Sequence, residues 1–160
     1  MRRAGTLAVT ALLVAVDRLT KALAEKYLPL SGGKDIIPGF IAFRYVKNTG
    51  AAFSILEGRT AALAVFTAVV SLAGIIWLMS GKVKDKLFYI SIMLIVSGGL
   101  GNLYDRIFKG YVVDFIEPLF VNFAVFNFAD CLVTVGAALL IVYLITDTVR
   151  ERKKKRGQGE

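Results

Sequence analysis

Runs of apolar residues without any charged side chain constrain this chain more than any other feature. They cover residues 60–81 (22 residues), 87–104 (18), 118–129 (12) and 131–146 (16), and Asp130 alone separates the last two. A helix needs roughly 20 residues to cross a bilayer core of about 30 Å. The runs therefore predict an integral membrane protein and exclude an ordinary soluble domain.

The N-terminal segment fits two interpretations. A charged start, an apolar stretch and Ala22-Leu23-Ala24 imitate a cleavable secretory signal peptide. However, Asp17, Arg18 and Lys21 lie between the apolar stretch and that site, where such signals are normally uncharged. We therefore predict that this segment is an uncleaved first membrane span.

The predicted architecture is mainly α-helical, with four transmembrane helices in a single membrane domain over residues 1–160. The predicted spans cover residues 4–24, 60–79, 87–103 and 128–146. Residues 40–47 are rich in aromatic and β-branched side chains, which predicts a strand, a turn at 48–50 and a second extended piece near 52–56. We expect a small sheet on the outer membrane surface, within about residues 36–56.

The basic residues predict the orientation. Lys and Arg number 11 on the side of both termini and the loop at 82–86, against 7 on the other side. Cytoplasmic segments carry the excess of Lys and Arg. Both termini and the basic tail at 150–160 are therefore predicted to be cytoplasmic, and segments 25–59 and 104–127 to face outward.

Several functions are excluded by composition. The chain has no histidine and one cysteine, Cys131, which excludes Ser-His-Asp and Cys-His catalysis, His-ligated zinc and an internal disulfide. No metal or cofactor is predicted, and Cys131 is interpreted as a packing residue. The net charge of +8 does not indicate nucleic-acid binding, because six basic residues cluster in the tail, where they would face anionic lipid.

Two aspartates stand among apolar residues. Asp130 lies within the last apolar region, and Asp114 lies within Val112-Val113-Asp114-Phe115-Ile116. A charge at the centre of a span costs about 2.5–3.5 kcal/mol on insertion scales and suggests a functional site. The structural alternatives are a polar packing residue at Asp130 and a water-exposed loop acid at Asp114. If the two carboxyl groups are close, they share a proton, and one can deprotonate water while the other polarises a carbonyl.

Other polar residues recur at helical spacings. Asp17 and Lys21 share a helix face at i, i+4, and as a purely structural pair they would ease insertion. Asn102 stands three residues before Asp105, so its amide can share a face with that carboxylate, and Asp105-Arg106 can form a helix-end pair.

Asn127 likewise stands three residues before Asp130. Both asparagines can act as hydrogen-bonding groups between helices, or they can orient the acids in a polar pocket.

Five short motifs occur in a fixed order. They are residues 16–21 (VDRLTK), 48–54 (NTGAAFS), 98–106 (GGLGNLYDR), 112–115 (VVDF) and 126–130 (FNFAD). Together they resemble the bacterial lipoprotein signal peptidases (signal peptidase II), a family of integral-membrane aspartic peptidases. The resemblance covers about residues 16–136 and departs from the family's pattern at Arg18, where the family usually has Gln.

The resemblance implies four transmembrane helices with an extracytoplasmic β-cradle. It also implies that prolipoprotein signal peptides are cleaved before a diacylglyceryl-modified cysteine, with Asp114 and Asp130 as the catalytic pair. Supporting or substrate-binding positions fall on Asp17, Lys21, Asn48, Asn102, Asp105, Arg106 and Asn127.

The implied partners are lipidated prolipoproteins and membrane lipid, with no nucleic acid, and we expect a monomer. The implied location is the bacterial cytoplasmic (inner) membrane, with the active site toward the outer leaflet. Two other functions stay open from the residues alone. A proton- or ion-coupled transport subunit also carries intramembrane carboxylates, and a structural membrane partner would explain the spans but not the acids.

Overall fold

A computed structural model describes residues 3–50 and 57–156 of the chain. The elements follow in the order α1 (Arg3–Ser31), β1 (Lys34–Ile37), β2 (Ile41–Asn48), α2 (Thr60–Met79), α3 (Lys86–Phe108), β3 (Val112–Pro118) and α4 (Phe128–Arg156). The protein is mainly helical with one small sheet, which confirms the predicted class. The extended piece predicted near 52–56 lies outside the described residues.

Three helices in the described part of the chain, α2, α3 and α4, are long and apolar enough to cross a membrane. The bounds of α2 equal the predicted span at 60–79, whereas α3 and α4 extend past the predicted ends to Phe108 and Arg156. The predictions followed the apolar length, but a helix ends where its backbone hydrogen bonds end. At the start of α3, for example, the Asp85 carboxylate accepts the backbone N–H groups of Leu87 and Phe88 at 2.8 and 3.0 Å.

Helix α1 has 29 residues and continues past the predicted span at 4–24. It carries Asp17, Arg18 and Lys21 near its middle, and both Asp17 and Lys21 are fully buried. Because of these charges, α1 is not among the helices that are apolar enough to cross a membrane by composition, so membrane crossing by α1 stays a prediction.

Helix α3 is central, because it packs against α1, α2 and α4. Two glycines let the neighbours approach closely. A Cβ at Gly98 would collide with the backbone carbonyl of Ala129 on α4, and a Cβ at Gly101 would lie 2.6 Å from Oδ2 of Asp17 on α1. Small residues of this kind allow close helix contacts in membranes, and here they bring polar groups of α1 and α4 to one level of α3.

The sheet is antiparallel with strand order β1-β2-β3. Strand β2 lies one residue later than the strand predicted at 40–47, and β1 begins two residues before the predicted sheet region at 36–56. Strand β3 was not predicted, and its pairing with β2 places Val46 opposite Asp114. Alternate residues of a strand point to opposite faces. Val113 and Phe115 accordingly pack with Ala24 of α1 in an apolar cluster, so that Asp114 is directed to the other face.

Candidate active site

Asp114 lies at the third position of β3 and is 2% exposed. Its Oδ1 accepts the Asn127 side-chain amide at 2.6 Å, and its Oδ2 accepts the Asn48 side-chain amide at 2.8 Å. The structural alternative of a water-exposed loop acid is therefore wrong, because pairing of β3 with β2 buries the residue.

Asp130 lies in the first turn of α4 and is partly buried. Its Oδ1 accepts the Asn102 side-chain amide at 2.8 Å, and its Oδ2 accepts the backbone N–H of Asn127 at 3.1 Å. In return, Oδ1 of Asn127 accepts the backbone N–H of Asp130 at 3.0 Å. This reciprocal pair is a capping box, and a negative charge is favoured at this end of a helix.

Burial acts strongly on the Asp114 carboxyl group. Removal from water raises its pKa to about 6, and the nearby Asp130 carboxylate contributes in the same direction, while the Asn48 and Asn127 amides oppose the shift. Two carboxyl groups that repel each other in this way do not ionise independently. Asp114 therefore holds its proton in a pH range in which ordinary aspartates have lost theirs.

Both aspartates line one cavity of about 480 Å³. Its polar lining also includes Asn48, Asn102 and Arg106, and its apolar lining includes Val112, Phe123, Val125, Phe126, Val133 and Val135. Two carboxyl groups beside an apolar wall suit the hydrolysis of a polar bond in a largely apolar substrate. Among residues 3–50 and 57–156, no three carboxylate or thiol side chains are grouped so that they could hold a metal ion.

A buried cluster of charges lies behind the cavity. Nζ of Lys21 is 2.9 Å from Oδ2 of Asp17 and 3.2 Å from Oδ2 of Asp105. Asp105 also pairs with the Arg18 guanidinium, which lies over the Tyr104 ring at 4.1 Å from its centroid. The predicted i, i+4 pair of Asp17 and Lys21 is present, and it is part of a larger network that joins α1 to α3.

Two pairings that the spacing within α3 allows are not formed. The Asn102 amide donates to Asp130 and does not bond to Asp105. Arg106 donates to the backbone carbonyl of Gly50 at 3.2 Å and makes no ion pair with Asp105, because adjacent residues of a helix do not face each other. Sequence spacing indicated the polar character of these residues, but their partners come from other elements.

Some residues of the site were not singled out from the sequence. Phe123 and Phe126 of the 104–127 segment form part of the cavity wall. Outside the cavity, Arg18 joins the ion cluster through Asp105. The aromatic residues before the FNFAD motif were the available signal. Cys131 also lines the cavity, beside Asp130.

Comparison with solved structures first gives the class of protein. A structure described as a bacterial membrane enzyme superposes with a TM-score of 0.83 at 28% sequence identity, covering 91% of this chain and 90% of the other. The three apolar helices agree with this class. The protein thus has the fold of a bacterial membrane enzyme.

Sequence comparison then gives the family. The family described as Signal peptidase (SPase) II matches residues 9–146. The lipoprotein signal peptidase of Enterococcus faecalis is 37% identical over 150 residues (93% of this chain, 92% of that protein). That of Streptococcus agalactiae is 41% identical over 136 residues (85% and 88%). The chain belongs to the signal peptidase II family and is a membrane protease.

Proposed function

We propose that this protease is an aspartic endopeptidase that removes signal peptides from prolipoproteins. It cleaves before a diacylglyceryl-modified cysteine, with Asp114 and Asp130 as its catalytic pair and water as the nucleophile. The observation that carries the proposal is the meeting of these two carboxyl groups in one cavity, where burial and mutual repulsion raise the pKa of Asp114 to about 6. The relatives' name, lipoprotein signal peptidase, supports the substrate class.

The chemistry needs one ionised and one protonated carboxyl group. The carboxylate takes a proton from water, and the water oxygen attacks the scissile carbonyl carbon. The carbonyl oxygen receives the proton of the other carboxyl group, which gives a tetrahedral diol. When the C–N bond breaks, one proton passes to the leaving amine and one returns to the pair, so that an acid, an amine and the starting enzyme result.

The cavity wall suits a lipid-bearing substrate. Phe123 and Val135 line the cavity and are also about half exposed at the surface, so the wall continues onto the part of the protein that lipid would cover. A diacylglyceryl chain can remain in the bilayer while the peptide bond reaches the aspartates. The membrane then supplies part of the orientation that brings the bond and the carboxyl groups together.

The topology is part of the proposal. In it α1 is the fourth span, both termini are cytoplasmic, and Asp114 and Asp130 lie toward the outer leaflet of the bacterial inner membrane. The excess of basic residues on the side of the termini supports this orientation. We propose that the protein acts as a monomer, because Asp114, Asp130 and the amides that hydrogen-bond to them all belong to the same chain.

The substrate class can be tested with two forms of one precursor. Purified protein in detergent is mixed with a prolipoprotein that carries a diacylglyceryl cysteine, and with the same precursor bearing a free cysteine. We expect cleavage of the first only, on the amino side of the cysteine, as read by mass spectrometry. Equal cleavage of both forms, or none of either, contradicts the proposal.

A further inference from the structure

Two asparagines beside the catalytic pair have fixed side-chain orientations. A side-chain amide accepts through its oxygen and donates through its nitrogen. Oδ1 of Asn48 accepts the backbone N–H of Gly50 at 2.8 Å, and Oδ1 of Asn127 accepts the backbone N–H of Asp130. Because a backbone N–H cannot accept, neither amide can be reversed without losing this bond, and both nitrogens are directed to Asp114.

Asn102 is fixed in the same way, but by a charged group. Nζ of Lys21 donates to Oδ1 of Asn102 at 2.7 Å, and Nδ2 of Asn102 donates to Oδ1 of Asp130 at 2.8 Å. An ammonium group has no acceptor, so the Asn102 oxygen must face Lys21 and its nitrogen must face Asp130. Lys21 is itself fully buried and is held by Asp17 and Asp105.

All four carboxyl oxygens of the pair consequently accept a hydrogen bond from a nitrogen whose direction is fixed. The two aspartates differ in the groups that hydrogen-bond to the side-chain oxygens of these donating amides. The side-chain oxygens of Asn48 and Asn127 accept from neutral backbone N–H groups. The side-chain oxygen of Asn102 accepts from the Lys21 ammonium and, at 3.3 Å, from the Asn127 amide. Hydrogen bonds in a chain polarise one another, and bonds to an ionised group are the stronger ones.

We propose that Lys21 is a positioning residue of the peptidase reaction, which acts through Asn102 to make Asp130 the carboxylate that deprotonates water. This inference rests on the proposed function and assigns the two roles within it. Asp130 takes the proton from water as the water oxygen bonds to the scissile carbon. Asp114 gives its proton to the carbonyl oxygen. When the C–N bond breaks, Asp130 passes its proton to the leaving nitrogen and Asp114 recovers one from the diol.

Other charges also face Asp130. Asp114 acts on it from β3 and Arg106 from α3, while Asp17 lies beside Lys21 on α1. Arg106 has no bond to Asn102 in the described structure. Lys21 also acts through space on Asp114 and opposes the rise of its pKa, whereas its hydrogen-bonded path leads through Asn102 to Asp130.

The test compares Lys21→Met with Arg18→Gln. Both remove one positive charge from the same ion cluster, but only Lys21 bonds to Asn102, and Arg18 does not line the cavity. For Lys21→Met we expect kcat to fall about 10–100-fold with KM nearly unchanged, as for other groups that orient reacting side chains. The acidic limb of the kcat profile should also move to higher pH. Arg18→Gln should keep kcat near the wild-type value, because it leaves the hydrogen bonds from Lys21 through Asn102 to Asp130 in place.

Thermal unfolding in detergent shows whether each variant is folded. A folded Lys21→Met protein with wild-type kcat overturns the inference. If Lys21→Met does not fold, the double variant Asp17→Asn/Lys21→Gln, which replaces the ion pair by two neutral amides, is compared with Asp17→Asn alone. A further drop of at least 10-fold in kcat supports the role of Lys21, and equal kcat overturns it. Failure of the proposed function is a different result, in which the wild type does not cleave the lipidated precursor.

Discussion

The Asn127 side-chain nitrogen lies 2.6 Å from Oδ1 of Asp114, although the two residues are 13 positions apart in the chain. Asn127 precedes α4 directly, and its side-chain oxygen caps the backbone N–H of Asp130. Asn127 thus caps the helix that carries Asp130, and it also hydrogen-bonds to Asp114. This double role allows the structural and chemical contributions of Asn127 to be separated by substitution.

Asn127→Ser should keep stability and lose activity. Serine is as good an N-cap as asparagine, but its side chain lacks the amide that reaches Asp114. We expect turnover to fall about 10–100-fold, as for other orienting groups, with little change in melting temperature. Asn127→Ala, which removes the cap as well, should additionally lower the free energy of unfolding by about 0.5–2 kcal/mol. Full activity in Asn127→Ser contradicts the contact's role.

The stability of the protein should depend on pH through Asp114. Burial raises the pKa of this group from 3.8 to about 6, so between these values the folded protein holds a proton that the unfolded chain has released. The free energy of unfolding therefore falls as pH rises through this window, by up to about 3 kcal/mol for two pKa units.

Thermal unfolding of the wild type and of Asp114→Asn from pH 3.5 to 8 measures this slope. Relative to Asp114→Asn, the melting temperature of the wild type should fall as pH rises to about 6. Above that pH, the difference between the two proteins should stay constant. Asp35→Asn is the matched control, because Asp35 is half exposed and pairs with Arg44 on the sheet. An equal slope in the wild type and in Asp114→Asn contradicts the raised pKa.

Much of the fold was predictable because apolar length is a local property. The uncharged runs predicted α2, α3 and α4, and the aromatic run predicted β2. Strand β3 was not predicted, because its partner is distant in sequence: Asn48 and Asp114 are 66 residues apart. The ends of α3 and α4 were missed because backbone hydrogen bonding continues beyond the apolar core.

The sequence predicted which residues belong to the site, but it did not predict which of them contact each other. Asp114 and Asp130 stand out because acids are expensive among apolar residues. The i, i+3 spacing allows Asn102 to share a helix face with Asp105, but Asn102 bonds to Lys21 and Asp130. Spacing along one helix defines a face, but the close approach of α1 and α4 at the α3 glycines decides what that face meets.

Orientation in the membrane can be tested by cysteine labelling on a Cys131→Ala background. Cysteines at Lys34 and Asn122 should react with an impermeant reagent added from outside, and cysteines at Lys84 and Lys154 should not; all four positions are exposed at the protein surface. N-terminal sequencing of the mature protein should begin at or near Met1. Labelling of the tail from outside, or a mature protein that begins at Glu25, contradicts the four-span topology.

Activity should not depend on a metal ion or on the thiol. We expect EDTA and serine- or cysteine-directed reagents to leave turnover unchanged, and Cys131→Ala to keep most activity, because the proposed reaction uses only two carboxyl groups and water. Carboxylates can bind hard divalent ions, so the chelator experiment distinguishes a metal-free reaction from a metal-dependent one. Inactivation by EDTA that added metal reverses contradicts the proposed mechanism.

The central claim is that Asp114 and Asp130 together perform the cleavage. The most direct test is turnover of a diacylglyceryl-modified precursor by Asp114→Asn and by Asp130→Asn in detergent, with Asp35→Asn as the matched control and melting temperature as the measure of folding. We predict that each of the first two variants folds but has no detectable turnover, because an amide can neither accept the proton of water nor supply an acidic one, while the control cleaves at the wild-type rate. Substantial cleavage by a folded Asp114→Asn or Asp130→Asn protein would contradict the account.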